Sequence, residues 1–502
     1  MAVSFSHIPA NLRVPLFYAE ISNELAGHLS MQQPACIIGP VTSSDPDILN
    51  TPILVSSPAM AYEVCGPGSV LADMVNTYRR NDSFGELWMI PTSSGPGATQ
   101  ATGEVRIIGT ATAGGMIPFY IGGDLYRIGV APGAPPDAMA DLLAATINED
   151  PFGLTTADAT NGEITLTAKQ AGTLGNGISL AVAWRGLAAG EELPPGVTVE
   201  IDPMANGAGI PDLRPALEAL GDDVYDYIGC PWTDVASLNA IEEAMNDITG
   251  RWAWDRQVYG HVFTARNDTL GDLRAFGVTR NDPHATVHGV DGSLTPPWRR
   301  AAALTAEAAT SLRIDPARPL QTLPLVGCMP PRRDKKFKIR DRQTLLFAGI
   351  AVEDEVDGQV RINRCITTYQ RNAWGQPDPS YLDVETLATV QYFVRFLRQR
   401  IVQKFPRHKL VDDDTVVGPG QAAVSPRGIK GEVVVAYLDM VDAGIVENVD
   451  SFKELLIVER DAQDPNRVNI LASPDLVNQL RVAGLLAAFR LRTASQALPL
   501  AA

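Results

Sequence analysis

Residues 34–39, Pro-Ala-Cys-Ile-Ile-Gly, are an apolar run closed by glycine, the pattern of a short buried strand. Residues 69–78 then place apolar side chains at helical spacing, and Phe84–Ile90 supplies a second strand, so the order is strand, helix, strand. The same pattern resumes near residue 205. Val224–Cys230 reads as a strand, Thr233 as a helix N-cap, and Leu238, Ile241, Met245 and Ile248 fall at helical spacing before Gly250 stops the helix. Strand Val258–Ala265 completes a βαβ unit. Further on, Leu345–Val352 predicts a buried strand, Gln359–Tyr369 alternates as a strand, and Ser380 caps a long helix running to about Gln403. Ser473-Pro474-Asp475 has the makings of one more helix start, with an N-cap, proline in the first turn and an acid near the dipole.

Between these α/β stretches the composition changes. From Ser93-Ser-Gly-Pro-Gly-Ala-Thr to about residue 204 the chain is rich in Gly, Thr, Ala and Val, with four basic residues. Gly103–Gly109, Phe119–Val130 and Gly162–Ala168 alternate as strands, Gly122-Gly123-Asp124 marks a hairpin turn, and Asp137–Asn148 reads as the one helix. We expect an α/β (α+β multi-domain) chain with a discontinuous core at 26–95 and 205–355, a β-rich domain of residues 96–204 inserted into a surface loop, and a C-terminal α/β domain at 356–487. Residues 1–25 alternate poorly and carry two prolines, so they form an N-terminal arm. The strand-like run beginning at Phe489-Arg-Leu491 places a C-terminal arm at 488–502.

Composition narrows the classes. The chain of 502 residues is 45% hydrophobic and 20% charged, which is globular, with 43 Gly and 37 Pro for turns. The longest strictly apolar run, Leu345–Val352, falls far short of the ~20 residues that cross a bilayer. The N-terminus lacks a basic region followed by an apolar stretch, so no secretion or membrane insertion is expected. Five scattered cysteines without C-x-x-C fit reduced thiols in a cytosolic compartment. The net charge of −17 argues against a nucleic-acid coat protein. It is uneven: residues 1–250 hold 8 basic and 29 acidic side chains (−21), and residues 251–502 hold 33 and 29 (+4).

Catalytic and cofactor motifs are missing. There is no G-x-x-x-x-G-K-[ST], and Gly66-Pro-Gly68 and Gly418-Pro-Gly420 lack the third glycine of a dinucleotide fingerprint, so they read as turns. His284 and His288 have i, i+4 spacing but sit between Pro283 and Gly289-Val-Asp-Gly292, which predicts a loop, with no glutamate of an H-E-x-x-H site. Asp354–Gly358 reads as an acidic β-turn rather than a calcium loop. Asn81-Asp-Ser83 and Asn267-Asp-Thr269 read as polar loops. No metal, cofactor or catalytic residue is assigned. An α/β hydrolase using His261 or His284 as base is the alternative from another class, though no G-x-S-x-G elbow is present.

The strongest local signal is electrostatic. Arg395, Arg398, Arg400, Lys404, Arg407 and Lys409 lie in a stretch, Gln391–Leu410, that contains no acid. Leu387, Val390, Val394, Leu397 and Ile401 form one helical stripe, while Tyr392, Phe393 and Phe396 form a second. A helix with two apolar faces packs against two bodies. One reading is a core helix whose cations snorkel to water; the sharper one sets it between its own domain and an acidic protein partner.

At this point the residues resemble a family. Ile8-Pro-Ala-Asn-Leu-Arg-Val14-Pro-Leu16-Phe-Tyr18 is similar to the start of the tail sheath protein of Mu-like contractile-tailed bacteriophages. So are Ile366–Asp383, with its Thr-Thr-Tyr-Gln-Arg-Asn-Ala-Trp-Gly-Gln-Pro-Asp-Pro, and Lys404-Phe-Pro-Arg-His-Lys-Leu410 and Asp464–Arg481 of the C-terminal region. The resemblance implies a structural virion subunit, assembled in the host bacterial cytoplasm, that polymerises as stacked six-fold rings around a tail tube and contracts to drive the tube through the host envelope. Implied partners are further copies of the chain, the tail tube protein, and baseplate and tail terminator proteins, with no direct nucleic-acid contact. It also implies that the arms, through Ile8, Val14, Leu16, Tyr18, Phe489 and Leu491, add strands to neighbouring subunits, a mode that needs main-chain hydrogen bonds and little side-chain specificity. A phage-derived contractile injection particle without a genome fits the same residues. Combined with the charge pattern, we expect the basic helix to face the tube and the acidic half to face outward.

Overall fold

The structure, a computed structural model, describes residues 33–418 and 420–489. Its central sheet runs Ala285–Val290, His261–Asn267, Tyr227–Gly229, Ala35–Pro40, Leu87–Thr92 and Ile53–Leu54, parallel throughout except for the last, an edge strand. Every residue of Ala35–Pro40 and Ala285–Val290 is buried, because a parallel strand here is covered on both faces. Alternate side chains feed two cores. Ile37, Met89 and Phe263 meet helices Val70–Asn81 and Pro297–Ile314 on one side, and Ile38, Ile228 and Val262 meet Arg214–Glu218 and Val235–Met245 on the other. Ser69 caps its helix by accepting from the Ala72 N–H at 3.0 Å. The cap of helix Val235–Met245 is Asp234, not Thr233: its carboxylate accepts from the Ser237 N–H at 2.9 Å and also meets the positive end of the helix dipole.

The chain leaves this sheet after Thr92 and re-enters it at Tyr227. In between, Thr198–Ala205, Gln100–Ile108, Glu163–Ala171 and Thr155–Thr160 form an antiparallel sheet in that order, and Asp124–Val130, Gly115–Ile121 and Leu180–Val182 form a second. Gly122 and Gly123 turn the hairpin with φ of +57° and +90°, the doubly left-handed turn that matches strand twist. Helix Pro136–Asn148 packs across both sheets. At the neck, Thr99 and Ala208 exchange backbone hydrogen bonds of 2.9 and 3.3 Å, so the outgoing and returning chains touch. A polar knot fixes the module to the core: Asp73 accepts from Trp298 Nε1 and Arg299 Nε, both at 2.7 Å, while Arg299 also reaches Asp124 at 2.8 Å and the Gly122 carbonyl at 3.1 Å.

The last third has its own core. Helices Val384–Lys404, Pro426–Asp442 and Val449–Leu455 bury Phe393, Phe396, Val433, Tyr437, Met440 and Phe452, and the Tyr437 and Phe452 rings stack at 3.7 Å. Three expectations fail in this half, the third in part. Leu345 and Leu346 end a helix, Ile339–Leu346; Gly349 at φ +72° then reverses the chain, and the strand is Val352–Val356. Ser473–Asp475 starts no helix. Asp475–Leu476 pairs antiparallel with Val446–Glu447, and the Val477 N–H donates to the Ile445 carbonyl at 3.2 Å, so tertiary pairing overrides a sound local cap signal. The expected loop holds for His284, which sits in the turn just before strand Ala285–Val290, but not for His288, which lies within that strand; both are buried.

Candidate assembly surface

Helix Val384–Lys404 carries the basic stretch, and its N-cap is Asp383, three residues after the expected Ser380. The Asp383 carboxylate does not cap. It is held by Arg364 at 2.8 and 2.9 Å and by Arg481 at 3.1 Å. Glu385, fully buried in the first turn, takes Arg481 at 3.0 Å and the Leu320 N–H; burial pushes its carboxyl pKa up, and Arg481 opposes the shift. Along one side, Val384, Leu387, Ala388 and Gln391 close over Leu312, Pro316, Asp226 and His261 of the α/β core. On the other, Phe393 and Phe396 enter the C-terminal core. Both apolar faces are therefore covered within the chain, which corrects the expectation that one of them meets a partner. What remains exposed is the charged flank.

The six cations divide by what they touch. Arg395 is half-buried: its guanidinium reaches Asp226 at 2.8 Å, donates to the Val258 carbonyl at 3.0 Å and lies 5.2 Å over the Tyr259 ring. Burial pushes the Asp226 carboxyl up, and the charge and hydrogen bond of Arg395 and the Gln391 amide oppose the shift. Arg400 and Lys404 converge on Glu432, whose side chain is 4% exposed, Arg400 at 2.7 Å with a second acid, Asp439, at 3.2 Å. Burial raises the Glu432 carboxyl pKa, but the two cations outweigh it and hold it below the usual range. Among the described residues Arg398 reaches only Gln257, at 3.4 Å, Lys409 reaches only the Gln421 side chain, at 2.9 Å, and exposed Arg407 meets no acid. Arg398, Arg407 and Lys409, with exposed Val402 among them, are the outward positive surface.

Of the arm residues, Ile8, Val14, Leu16, Tyr18 and Leu491 lie outside the described residues. Phe489 is described and 83% exposed, at the end of a segment without helix or strand in which Leu480, Val482, Leu485 and Leu486 are 75–93% exposed. At its start the segment is held by the Arg481 pairs and by the Gln321 amide, which donates to the Leu480 carbonyl at 3.3 Å.

The histidines serve packing. His261 Nε2 contacts Thr286 Oγ1 at 2.8 Å; that hydroxyl already donates to the Ile366 carbonyl at 3.0 Å, so it accepts from the ring. Burial and the neighbouring His284 push the His261 pKa down to about 3. His284 contacts Asp247 at 3.1 Å and stacks on Trp252, and His288 contacts Glu353, itself paired with buried Arg300. Among the described residues no serine bonds a histidine, and no cluster of three or more His, Cys, Asp or Glu could hold a metal.

Residues 206–368 match the family described as phage tail sheath protein central domain, and residues 376–488 that described as phage tail sheath C-terminal domain. Over 485 residues, covering 96% of this chain and 98% of the relative, the sequence is 37% identical to the Mu-like prophage FluMu tail sheath protein of Haemophilus influenzae. The chain belongs to the phage tail sheath family. It is a structural subunit by family and an α/β multi-domain protein by fold. Sheath structures also overlay on it. A sheath tail protein of Desulfitobacterium hafniense does so at TM-score 0.47 and 12% identity, over 92% of this chain and all of that one. The anti-feeding prophage helical sheath in the contracted state does so at 0.47 and 10%, over 95% and 99%. Membership of the sheath family rests on the sequence match rather than on these overlays. Asp226, Glu432 and Arg481 are the site residues that sequence reasoning missed; the polar Glu385 and Gln391 beside the apolar stripe were the available sign that buried partners would be needed.

Proposed function

We propose that this subunit polymerises with copies of itself as stacked six-fold rings around a tail tube, within a virion tail assembled in the host cytoplasm, and contracts to drive the tube through the host envelope. Baseplate and terminator proteins cap the polymer, and neither nucleic acid nor membrane is contacted directly. The observation that carries the reading is the 37% identity along nearly the whole length of a Mu-like tail sheath protein. The segment from Leu480 to Phe489 supports it: five large apolar side chains are exposed along it, and a backbone bound into neither helix nor strand is free to add to a partner's sheet. Residues 1–25 complete the linkage in the same way.

For a tube-facing flank, the pairing within the chain supports a narrower set of residues. Arg395, Arg400 and Lys404 are occupied within the chain, so attraction to an acidic tube falls to Arg398, Arg407 and Lys409. Reversing those three to glutamate is expected to leave the subunit folded while abolishing assembly on purified tubes, read by co-sedimentation and electron microscopy. Undiminished tube-bound polymer rejects this face; discrete particles instead of striated hollow tubes from the unmodified protein reject the sheath reading itself.

A further inference from the structure

A second surface lies at the N-terminal end of the long helix. Leu346 and Phe347 from helix Ile339–Leu346 and its cap, with Ile366, Tyr369, Pro377 and Leu382, line an open groove of about 510 Å³ that is mostly apolar. Phe347 is 77% exposed within it. Arg371 and Pro377 close a hairpin-like loop along its rim by pairing with each other. The charged groups at the groove are unequal. Arg364 is spent on Asp383, and Asp378 accepts from the Tyr369 hydroxyl and the Ser380 hydroxyl at 2.8 and 2.9 Å. The Arg371 side chain is exposed and meets no acid among the described residues, and exposed Arg340 sits one helical turn before Gln343 on the same wall. Asp378 keeps its own charge, since hydroxyl donors do not neutralise it and no cation pairs with it among the described residues, so the groove offers apolar area with two exposed cations, Arg371 and Arg340, against one acid.

The complement is at the other end of the same helix. After Lys409-Leu410 the chain runs Asp412-Asp-Asp-Thr-Val-Val417 through a turn closed by the Thr415 N–H donating to the Asp412 carbonyl at 3.0 Å. Asp412 pairs with Arg460 at 2.7 Å and Asp413 accepts from the Arg427 N–H at 2.8 Å. Asp414 has no cation partner among the described residues, and Val416 is 96% exposed. An acid beside a bare valine at one pole thus matches a cation beside an apolar groove at the other. The 21-residue helix Val384–Lys404 separates them, about 31 Å at ~1.5 Å per residue.

We propose that the groove beside Arg371 receives the Asp414–Val416 turn of a second copy of this chain. This rests on the self-assembly reading above. Because the two patches differ and sit at opposite ends of one rigid element, the contact is heterologous: each copy seated on one neighbour presents the free patch to the next, which extends a polymer along the helix direction. The valine fills apolar volume, Asp414 meets Arg371, and the pairing sets register while other surfaces supply most of the affinity.

The test uses the full chain carrying Val416→Cys and Phe347→Cys, assembled and then oxidised. The expected result is a ladder of covalent dimers, trimers and higher species on a denaturing gel from the double variant, and none from either single variant. Asp414→Arg is expected to raise the concentration needed for polymerisation roughly tenfold, and Arg371→Asp in the same chain to restore it. Polymer without a ladder, or reversal without rescue, overturns the contact, as does efficient cross-linking of Phe347→Cys to Leu485→Cys, which would give the groove to the terminal segment. If the unmodified chain forms no polymer, the self-assembly reading falls and the contact with it.

Discussion

Replacing Arg395 by methionine separates the structural part of the basic stretch from the part free to bind. The substitution keeps the stem that packs along the helix and removes the guanidinium. It leaves Asp226, whose side chain is 2% exposed, with the Gln391 amide as its only side-chain hydrogen-bond partner among the described residues. Breaking a buried pair by removing one member costs about 3–5 kcal/mol. The retained amide bond lowers that figure, while loss of the Val258 carbonyl bond and the Tyr259 stack adds to it, so about 3 kcal/mol is expected at pH 7.5. Asp226 can escape by taking a proton. Its folded-state pKa, already raised by burial, rises further without the cation, so the folded chain holds a proton that the unfolded one releases. For such a group stability is present at low pH and is lost as pH rises from the unfolded carboxylate value through the folded one. The deficit should therefore shrink at pH 5, and Asp226→Asn in the same chain should recover most of it at both pH values. Urea midpoints followed by tryptophan fluorescence provide the measurement. A deficit below about 0.5 kcal/mol at pH 7.5, or one that does not shrink at pH 5, would refute the assignment of Arg395 as an internal partner.

Two further outcomes follow from buried titratable groups. Burial and the Asp82 charge push the Glu307 carboxyl up to about 7, so stability is lost as pH rises from the unfolded value of 4.5 through 7 and stays lower above it; Glu307→Gln should stabilise the chain by about 2 kcal/mol at pH 8 and much less at pH 5, read as paired thermal midpoints. His261 behaves in the opposite sense. With its folded pKa near 3, the unfolded chain binds a proton below pH 6.5 that the folded chain refuses, so stability falls with acidification by up to about 1.4 kcal/mol per pH unit; His261→Gln should flatten that limb of the pH–stability curve.

The legible parts of the fold were those in which one physical cause dominates locally. Parallel strands buried on both faces appear as apolar runs, and Gly122-Gly123 declares a turn that few other pairs permit. Helix Pro297–Ile314 escaped notice because eleven of its residues are buried, including Arg300, so it shows no polar face by which helical periodicity is recognised. Ser473–Asp475 misled because a cap signal is worth only about 1 kcal/mol, and strand pairing with Val446–Glu447 overrides it. At the assembly surface the cations were visible as a spacing, but their acids were not: Asp226 lies 169 residues from Arg395, and Glu432 28 from Lys404. Sequence showed where positive charge resides and left open which heads are spent.

The neck at Thr99 and Ala208 bears on how such a protein can be altered. Because the two chains crossing it are hydrogen-bonded to each other, the module joins the central sheet as a closed loop whose ends already meet, and its other ties to the core are shared apolar packing and the polar knot at Asp73. A foreign domain with adjacent termini could be grafted there, provided the surface exposed around Asp73, Trp298 and Arg299 is re-covered. Such a graft, for display of cargo, would leave the strands that define the sheet untouched.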